Sequence, residues 1–171
     1  YMKKYILIIG NGSYVLNDNY GNGVVLRSVM QWNKIIENNK YNIILFYRDK
    51  NKKDILENKL KNIKDSEQVI LKPLTDLEYL ISSKEVFASF ISVPDSSHYQ
   101  YIEKFLFHEI PTWIVKPLTD NLQQAINITK FKNKDLLWVD YHKRFDISNM
   151  LIKKFVKDNN LDVGFAYDGD A

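Results

Sequence analysis

Two glycines follow the first apolar run of the chain. Gly10 and Gly12 flank Asn11 directly after the run at residues 5–9. Glycine at such a point allows a tight turn and lets the backbone approach a phosphate group closely. Two glycines also suit an ordinary turn between a strand and a helix. The pattern is therefore compatible with a phosphate-binding loop and with a plain connection.

The glycine loop is longer than the pattern G-x-G-x-x-G. Val15 occupies the position of the third glycine, and the loop continues to Gly21 and Gly23 before a helical pattern begins. We interpret this stretch as an insertion of several residues, with Gly21 or Gly23 nearest the start of the helix. The free N–H groups of a helix start attract phosphate. The sequence thus predicts that Gly10, Gly12, Gly21 and Gly23 contact a phosphate-bearing cofactor.

Two charged residues follow the second apolar run, at residues 41–47. An acidic residue at the end of the second strand of a dinucleotide-binding unit holds the ribose hydroxyls, whereas an arginine accommodates a 2′-phosphate. Here Arg48 precedes Asp49, which lies slightly late for the acidic role. Both NAD and NADP remain open as cofactors, and so does a pair of ordinary surface charges.

Further polar side chains follow the later apolar runs. Pro94 and His98 follow the fourth run, and Lys116 follows the fifth. His98 could contact a ligand or merely cap its helix, and Lys116 could be a surface lysine at a turn. The sixth run is followed by Tyr141, His142 and Arg144. The carboxyl ends of parallel strands share one edge of a sheet, where ligands bind, so we expect these side chains to converge there.

The elements that must position these residues alternate along the chain. Apolar runs predict strands at residues 5–9, 41–47, 68–71, 86–93, 112–115 and 136–140, with a seventh at 163–166. Helical spacing predicts helices at 24–37, 54–63, 75–82, 97–107, 121–130 and 147–158. Continuous apolar strands are typical of a sheet buried on both faces. Strand–helix alternation favours right-handed crossovers and an α/β fold with a doubly wound, mostly parallel, Rossmann-type sheet.

Three helix starts carry residues that favour capping. Thr75 with Glu78 three residues later predicts a capping box. Ser96 or Ser97 is expected to cap the helix at 97–107, and Asp120 or Asn121 the helix at 121–130.

Composition excludes several classes of function. The 171 residues are 45% hydrophobic, enough for a sizeable core, and their net charge of +3 comes from 24 basic and 21 acidic residues. This balance, with scattered lysines, argues against a nucleic-acid partner. The chain has no cysteine, so disulfides and thiolate metal sites are excluded, and a reducing cytoplasm is the expected compartment. No apolar run reaches the roughly 18 residues of a membrane span.

Three motifs in order give the chain a family resemblance. They are FISVPDSSH at residues 90–98, VKPLTDNLQQA at 115–125 and WVDYHKRFD at 138–146. The chain resembles the glucose–fructose oxidoreductase / inositol 2-dehydrogenase / MocA family over residues 3–155. The resemblance implies an NAD- or NADP-binding domain of an oxidoreductase. Its reaction would transfer hydride between the nicotinamide and a sugar, cyclitol or related polyol.

The resemblance also implies roles for single residues. Lys116 would lie near the nicotinamide and the substrate hydroxyl and assist proton removal. Pro94 and His98 would flank the cofactor ribose and nicotinamide, and the substrate side would be bordered by Tyr141, His142 and Arg144. The chain departs from the family at Val115, where the family has a glutamate.

The resemblance implies a cofactor domain at residues 1–146, with residues 147–171 forming a helix and the start of a second domain. Family members need that second domain, so we expect little turnover from these residues alone. A dinucleotide-binding module without catalysis is the alternative. On the final helix Leu151 and Phe155 form an apolar stripe. It either packs on the sheet or leaves an exposed patch that favours a homo-oligomer.

The last ten residues, DVGFAYDGDA, carry a second resemblance. They resemble the magnesium loop of the phosphohexomutases, and Asp168 and Asp170 could face one hard cation. This match is short, so we predict no metal site, and these two aspartates are its only candidate ligands. A fragment of a phosphosugar mutase is a third hypothesis.

Overall fold

The computed structural model describes residues 4–18, 21–36, 40–141 and 147–161. It divides into two compact units, Tyr1–Val139 and Asp140–Ala171. The predicted domain boundary between residues 146 and 147 stays a prediction.

The first unit is built on a six-stranded sheet. Its strands are β1 (Tyr5–Ile9), β4 (Asn42–Tyr47), β5 (Val69–Pro73), β6 (Val86–Ile91), β7 (Thr112–Val115) and β8 (Leu137–Asp140), and a small separate hairpin consists of β2 (Asn17–Asp18) and β3 (Gly21–Asn22). The strand order in the large sheet is β5-β4-β1-β6-β7-β8. The pairs β4–β5, β1–β4, β1–β6 and β6–β7 are parallel. This is the doubly wound order, in which strands are added on one side of β1 up to β5 and on the other side from β6 onwards. It confirms the predicted fold class.

The helices connect these strands. They are α1 (Val24–Ile35), α2 (Lys53–Lys61), α3 (Leu77–Ser82), α4 (His98–Phe107), α5 (Leu122–Ile128) and α6 (Ile147–Asp158). Each predicted helix is present, with bounds that differ by a few residues at most. The predicted strand at 163–166 lies outside the described residues. The β2–β3 hairpin has no counterpart among the predicted elements.

Only one of the predicted caps forms a side-chain hydrogen bond. The Asn121 side chain accepts from the Gln124 amide at 3.1 Å, as expected for α5. The predicted capping box at Thr75 is wrong, because a 3-10 turn at Leu74–Asp76 precedes α3 and no side chain caps it. In that turn the Leu77 amide donates to the Leu74 carbonyl. The expected serine cap of α4 is replaced in the same way by a 3-10 turn at Asp95–Ser97.

The core lies on both faces of the sheet. Successive residues of a strand point to opposite faces, and in β1 both sets are buried. Leu7 and Ile9 pack in one cluster with Phe105 of α4, whereas Ile6 and Ile8 pack in another with residues of α1 and α2. Burial on both faces explains why β1 is a continuous apolar run.

In the second unit the structure describes chiefly α6. Its apolar side chains include Ile147, Leu151 and Phe155, all exposed. Within the described ranges, no helix is both long enough and apolar enough to cross a membrane.

Candidate functional site

A cavity of about 390 Å³ opens at the carboxyl edge of the sheet. It lies at the ends of β1, β4, β5 and β6, next to the point where the strand order reverses. Ligands of open α/β sheets bind at this position. The cavity is lined by Ile9, the loop Gly10–Tyr14, Phe46, Tyr47, Arg48, Leu74, Ser92, Val93, Pro94 and Tyr101.

Gly10 is required by the backbone at this edge. Its φ angle is +112°, which side chains rarely adopt. A Cβ atom here would lie 1.9 Å from the carbonyl oxygen of Ser92. The Ser92 amide also donates to the Ile9 carbonyl at 2.8 Å. The loops after β1 and β6 therefore run against each other, and only glycine fits between them.

Gly12 has open space around it. A Cβ atom on Gly12 would have no neighbour within 4 Å. Its carbonyl accepts hydrogen bonds from the amides of Val15 and Leu16, both at 3.0 Å, so a helical turn begins there. A ligand can approach the backbone closely at this turn.

That turn is the separated start of α1. The Val24 amide donates to the Tyr14 carbonyl at 2.8 Å, and the Leu26 amide donates to the Val15 carbonyl at 3.2 Å. These bonds stack α1 on the turn, with the β2–β3 hairpin inserted between them. The helical start at the cavity is thus the turn after Gly12, and not the first residue of α1.

Gly23 packs against Leu16 at the residue before α1 begins. Its amide donates to the Leu16 carbonyl at 2.6 Å, and a Cβ atom would lie 2.1 Å from that oxygen. Gly23 does not line the cavity. Gly21 lies in the hairpin, paired with Asp18. Contacts of Gly21 and Gly23 with a cofactor stay predictions.

Arg48 and Asp49 have different surroundings. Arg48 lines the cavity, and no carboxylate within the described part of the chain pairs with it. The Asp49 carboxylate accepts from the Asn51 amide at 2.9 Å and caps a 3-10 turn at Lys50–Lys52. Asp49 is therefore engaged by its own loop and leaves Arg48 facing the cavity.

His98 lies behind the cavity wall, and Pro94 is in it. The His98 side chain is completely buried. Its Nδ1 lies 2.9 Å from the Pro117 carbonyl oxygen, and its Nε2 lies 2.9 Å from the Val93 carbonyl oxygen. The imidazole thus joins the segment after β6 to the turn after β7.

Lys116 lies on the turn that His98 holds. It is exposed at the end of β7, and its peptide bond to Pro117 is cis. Among the described residues, none pairs with its ammonium group, and Lys116 does not line the cavity. The structure therefore places Lys116 at the same edge of the sheet as the cavity, with β6 between β7 and β1.

Of the other predicted site residues, the structure describes only Tyr141. Tyr141 is exposed. His142, Arg144, Asp168 and Asp170 lie outside the described residues. In the ranges that the structure describes, no three histidine, aspartate or glutamate side chains are grouped as a metal would need.

The lining residues that were missed in the sequence include Asn11, Ser92 and Tyr101. Asn11 donates from Nδ2 to the Phe46 carbonyl at 3.2 Å and ties the glycine loop to β4. Ser92 packs against Gly10. Tyr101 follows His98 by three residues on the same face of α4, a spacing that could have identified it.

The sequence of the chain matches a known family. The model of the GFO/IDH/MocA oxidoreductase family, described as an NAD-binding Rossmann fold, matches residues 6–141. The chain belongs to this family. Its first unit is accordingly an NAD-binding Rossmann domain, and the resemblance seen in the three sequence motifs is confirmed. No curated protein matches the chain significantly.

Solved structures share the fold. Myo-inositol 2-dehydrogenase from Lactobacillus plantarum superposes with a TM-score of 0.64 at 18% identity, over 92% of this chain and 42% of that one. Aldose–aldose oxidoreductase from Caulobacter crescentus gives 0.63 at 17%, over 94% and 44%. An oxidoreductase from Bacillus cereus gives 0.63 at 21%, over 92% and 40%. The chain thus spans about two fifths of the length of these structures.

The residues at the cavity fit the dinucleotide of this family. A phosphate group needs a close approach to backbone N–H groups, and the open space beside Gly12 at a helical start provides it. Arg48 supplies a positive charge at the end of β4. Leu74 and Val93 add apolar walls to the same cavity.

Proposed function

We propose that the chain is the cofactor-binding domain of an oxidoreductase that transfers hydride between a nicotinamide and a sugar, cyclitol or related polyol. Family membership supports the reaction class. The substrate class is supported by two proteins of the same fold, a myo-inositol 2-dehydrogenase and an aldose–aldose oxidoreductase. When bound, the cofactor supplies the hydride chemistry. The chain's own residues bind and orient it.

In this proposal, residues at different positions bind different parts of the cofactor and the substrate. The turn after Gly12 holds the pyrophosphate through backbone N–H groups. Arg48 pairs with a 2′-phosphate, which favours NADP(H) over NAD(H). Lys116 lies beside the substrate hydroxyl, where its amine forms a hydrogen bond and assists removal of the proton.

One observation carries the proposal: the cavity beside the strand reversal, with Gly10 forced into its conformation and Gly12 open to a ligand. Titration of the folded chain with NADH and NADPH, followed by calorimetry or by reduced-cofactor fluorescence, tests it. We expect saturable binding of at least one. Absence of binding of both at millimolar concentration, by a chain with native circular dichroism, contradicts the proposal.

The role of Arg48 has its own test. In Arg48→Ala we expect the affinity for NADPH to fall about ten- to a hundredfold, as is typical when a charged hydrogen bond is lost. The affinity for NADH should change little. Lys50→Ala is the matched control, because Lys50 is a neighbouring exposed cation that does not line the cavity. An unchanged NADPH-to-NADH ratio in Arg48→Ala removes Arg48 from the cofactor site.

A dinucleotide-binding module without catalysis is the second candidate. Val115 favours it, because a carboxylate that could position Lys116 is missing there. In a protein that joins this chain to a second domain, Lys116→Ala should lower turnover about a hundredfold or more while cofactor affinity stays within a few fold. Lys64→Ala, at an exposed lysine on a different connection, is the control. Cofactor binding with no turnover in either protein favours the second candidate, whereas equal, measurable turnover in both removes Lys116 from the reaction.

A further inference from the structure

We propose that the Tyr101 hydroxyl donates or accepts a hydrogen bond to the adenosine half of the bound dinucleotide. This inference rests on the proposed function, because it assumes that the cavity holds the cofactor. It adds a binding residue on α4, whereas the glycine loop follows β1 and Arg48 follows β4.

The ring of Tyr101 is fixed in the core. Only 6% of the side chain is exposed, and it belongs to the cluster that contains Ile9, Phe46 and Phe105. It also lines the cavity. A residue packed in this way presents its polar end without further loss of rotamer freedom when a ligand arrives.

The Tyr101 hydroxyl forms no hydrogen bond with any residue in the described part of the chain. In the described ranges, however, every fully buried side-chain oxygen or nitrogen has a hydrogen-bond partner. The Tyr101 oxygen must therefore keep access to solvent, and the cavity is the opening that this side chain lines. Buried tyrosines usually find a partner for the hydroxyl, so a ligand in the cavity is the candidate partner.

The position in the cavity indicates which half of the dinucleotide it meets. The lining residues come from the ends of β1, β4, β5 and β6 and from α4, whereas Lys116 at the end of β7 is not among them. In the proposed function the nicotinamide lies near Lys116. The cavity therefore takes the other half of the dinucleotide.

The chemistry of the walls agrees with a neutral, flat group at Tyr101. Arg48 is the one charged side chain among the described lining residues, and the turn after Gly12 provides backbone donors, so the anionic groups belong there. Leu74, Val93 and the Tyr101 ring are apolar and suit the faces of a purine. A phenol hydroxyl can serve as donor or acceptor to the nitrogen and oxygen atoms of an adenosine.

The test compares Tyr101→Phe with Tyr99→Phe. Tyr99 lies on the same helix, but its hydroxyl donates to Glu103 at 3.4 Å and it does not line the cavity. ADP-ribose and NADH, which differ only by the nicotinamide, are titrated into wild type and both variants. We expect Tyr101→Phe to weaken both ligands by about three- to tenfold, the usual effect of one neutral hydrogen bond. Tyr99→Phe should match the wild type.

Thermal unfolding of the ligand-free proteins provides a second readout. Because the Tyr101 hydroxyl has no hydrogen-bond partner among the described residues, Tyr101→Phe should unfold at the wild-type temperature or slightly above it. A clear drop in that temperature means that the hydroxyl is bonded inside the protein, and this overturns the inference.

The ligand results separate the two hypotheses. If wild type binds neither NADH, NADPH nor ADP-ribose, the proposed function falls and the inference falls with it. If wild type binds and Tyr101→Phe binds equally well, the inference alone is wrong. A loss for NADH without a loss for ADP-ribose also overturns it, because the hydroxyl would then contact the nicotinamide half.

Discussion

Two connections at the carboxyl edge of the sheet are built in opposite ways. The loop after β1 begins at Gly10, where the backbone has a positive φ and approaches Ser92 closely. Further along the loop, backbone carbonyls accept hydrogen bonds from the first amides of α1. The turn after β7 carries Lys116 and is held from inside by one side chain, the buried imidazole of His98. In the proposed function, the first connection presents backbone to the cofactor and the second presents the Lys116 side chain.

This difference indicates where each connection is sensitive to substitution. A loop that binds through its backbone is sensitive to substitution only where the backbone leaves no space for a side chain, as at Gly10. A turn that presents a lysine needs that lysine held in place, and here a residue from another helix does so. We therefore expect cofactor affinity to respond to changes in the first connection and the order of the Lys116 turn to respond to changes in the second.

The largest effect is expected at Gly10. Gly10→Ala combines an unfavourable φ with a Cβ atom 1.9 Å from the Ser92 oxygen. We expect the free energy of unfolding to fall by about 3 kcal/mol or more. Denaturant unfolding of the purified chain measures this change.

Gly12→Ala is the matched comparison. Its Cβ atom meets no neighbour within 4 Å, so stability should change by less than about 1 kcal/mol. Affinity for ADP-ribose should nevertheless fall, because a methyl group occupies the space that a phosphate needs. If both alanine variants are equally stable, the packing of Gly10 against Ser92 is not as described.

The next effect is expected at His98. In His98→Ala, the carbonyl oxygens of Val93 and Pro117 lose the imidazole that lies 2.9 Å from each. A cavity also forms, so unfolding should become easier by about 2 kcal/mol. His98→Gln, which can still donate to one carbonyl, should recover part of this loss. Hydrogen exchange should accelerate at residues 116–118 and stay unchanged at 12–16. His108→Ala, at the end of the same helix, is the control.

His98 should have little direct effect on the cofactor. Because it does not line the cavity, His98→Gln is expected to bind ADP-ribose within about threefold of wild type. A larger loss, with exchange at residues 116–118 unchanged, reverses the assignment and makes His98 a cofactor-contacting residue.

The smallest effect is expected away from both connections, at Asp65 in the turn between α2 and β5. A hydrogen bond from Lys34 holds the pKa of this carboxyl below its ordinary value. The pair therefore contributes stability fully above the ordinary aspartate pKa and loses it as pH falls through the lowered folded pKa. Asparagine is a suitable replacement because, like aspartate, it tolerates the left-handed backbone at this position, where φ is 65°.

Acid unfolding of wild type and Asp65→Asn measures the stability that the Lys34–Asp65 pair contributes. The small stability advantage of wild type near neutral pH should shrink towards zero under acid conditions, since the pair is exposed. ADP-ribose affinity and exchange at residues 116–118 should be the same in both proteins. An advantage that grows as pH falls contradicts the sign of the pKa displacement.

Several features of the site could be predicted from the sequence because they depend on local pattern. The glycines after β1, the charges after β4 and the lysine after β7 each follow a recognisable apolar strand, and a parallel sheet brings such ends to one edge. The pairing of His98 could not be predicted in the same way. It depends on which loops lie behind the face of α4 that carries His98 and Tyr101.

The sequence by itself determined the order of strands and helices, the parallel doubly wound sheet and the family to which the chain belongs. Those features follow from continuous apolar runs, helical spacing and motifs whose information is local. The tertiary structure alone decided that Gly23 packs on Leu16, that a hairpin separates the first helical turn from α1, and that His98 is buried. Each of these depends on contacts between segments that are distant or interrupted in sequence, and the packing of a helix against a loop is not encoded in either segment alone.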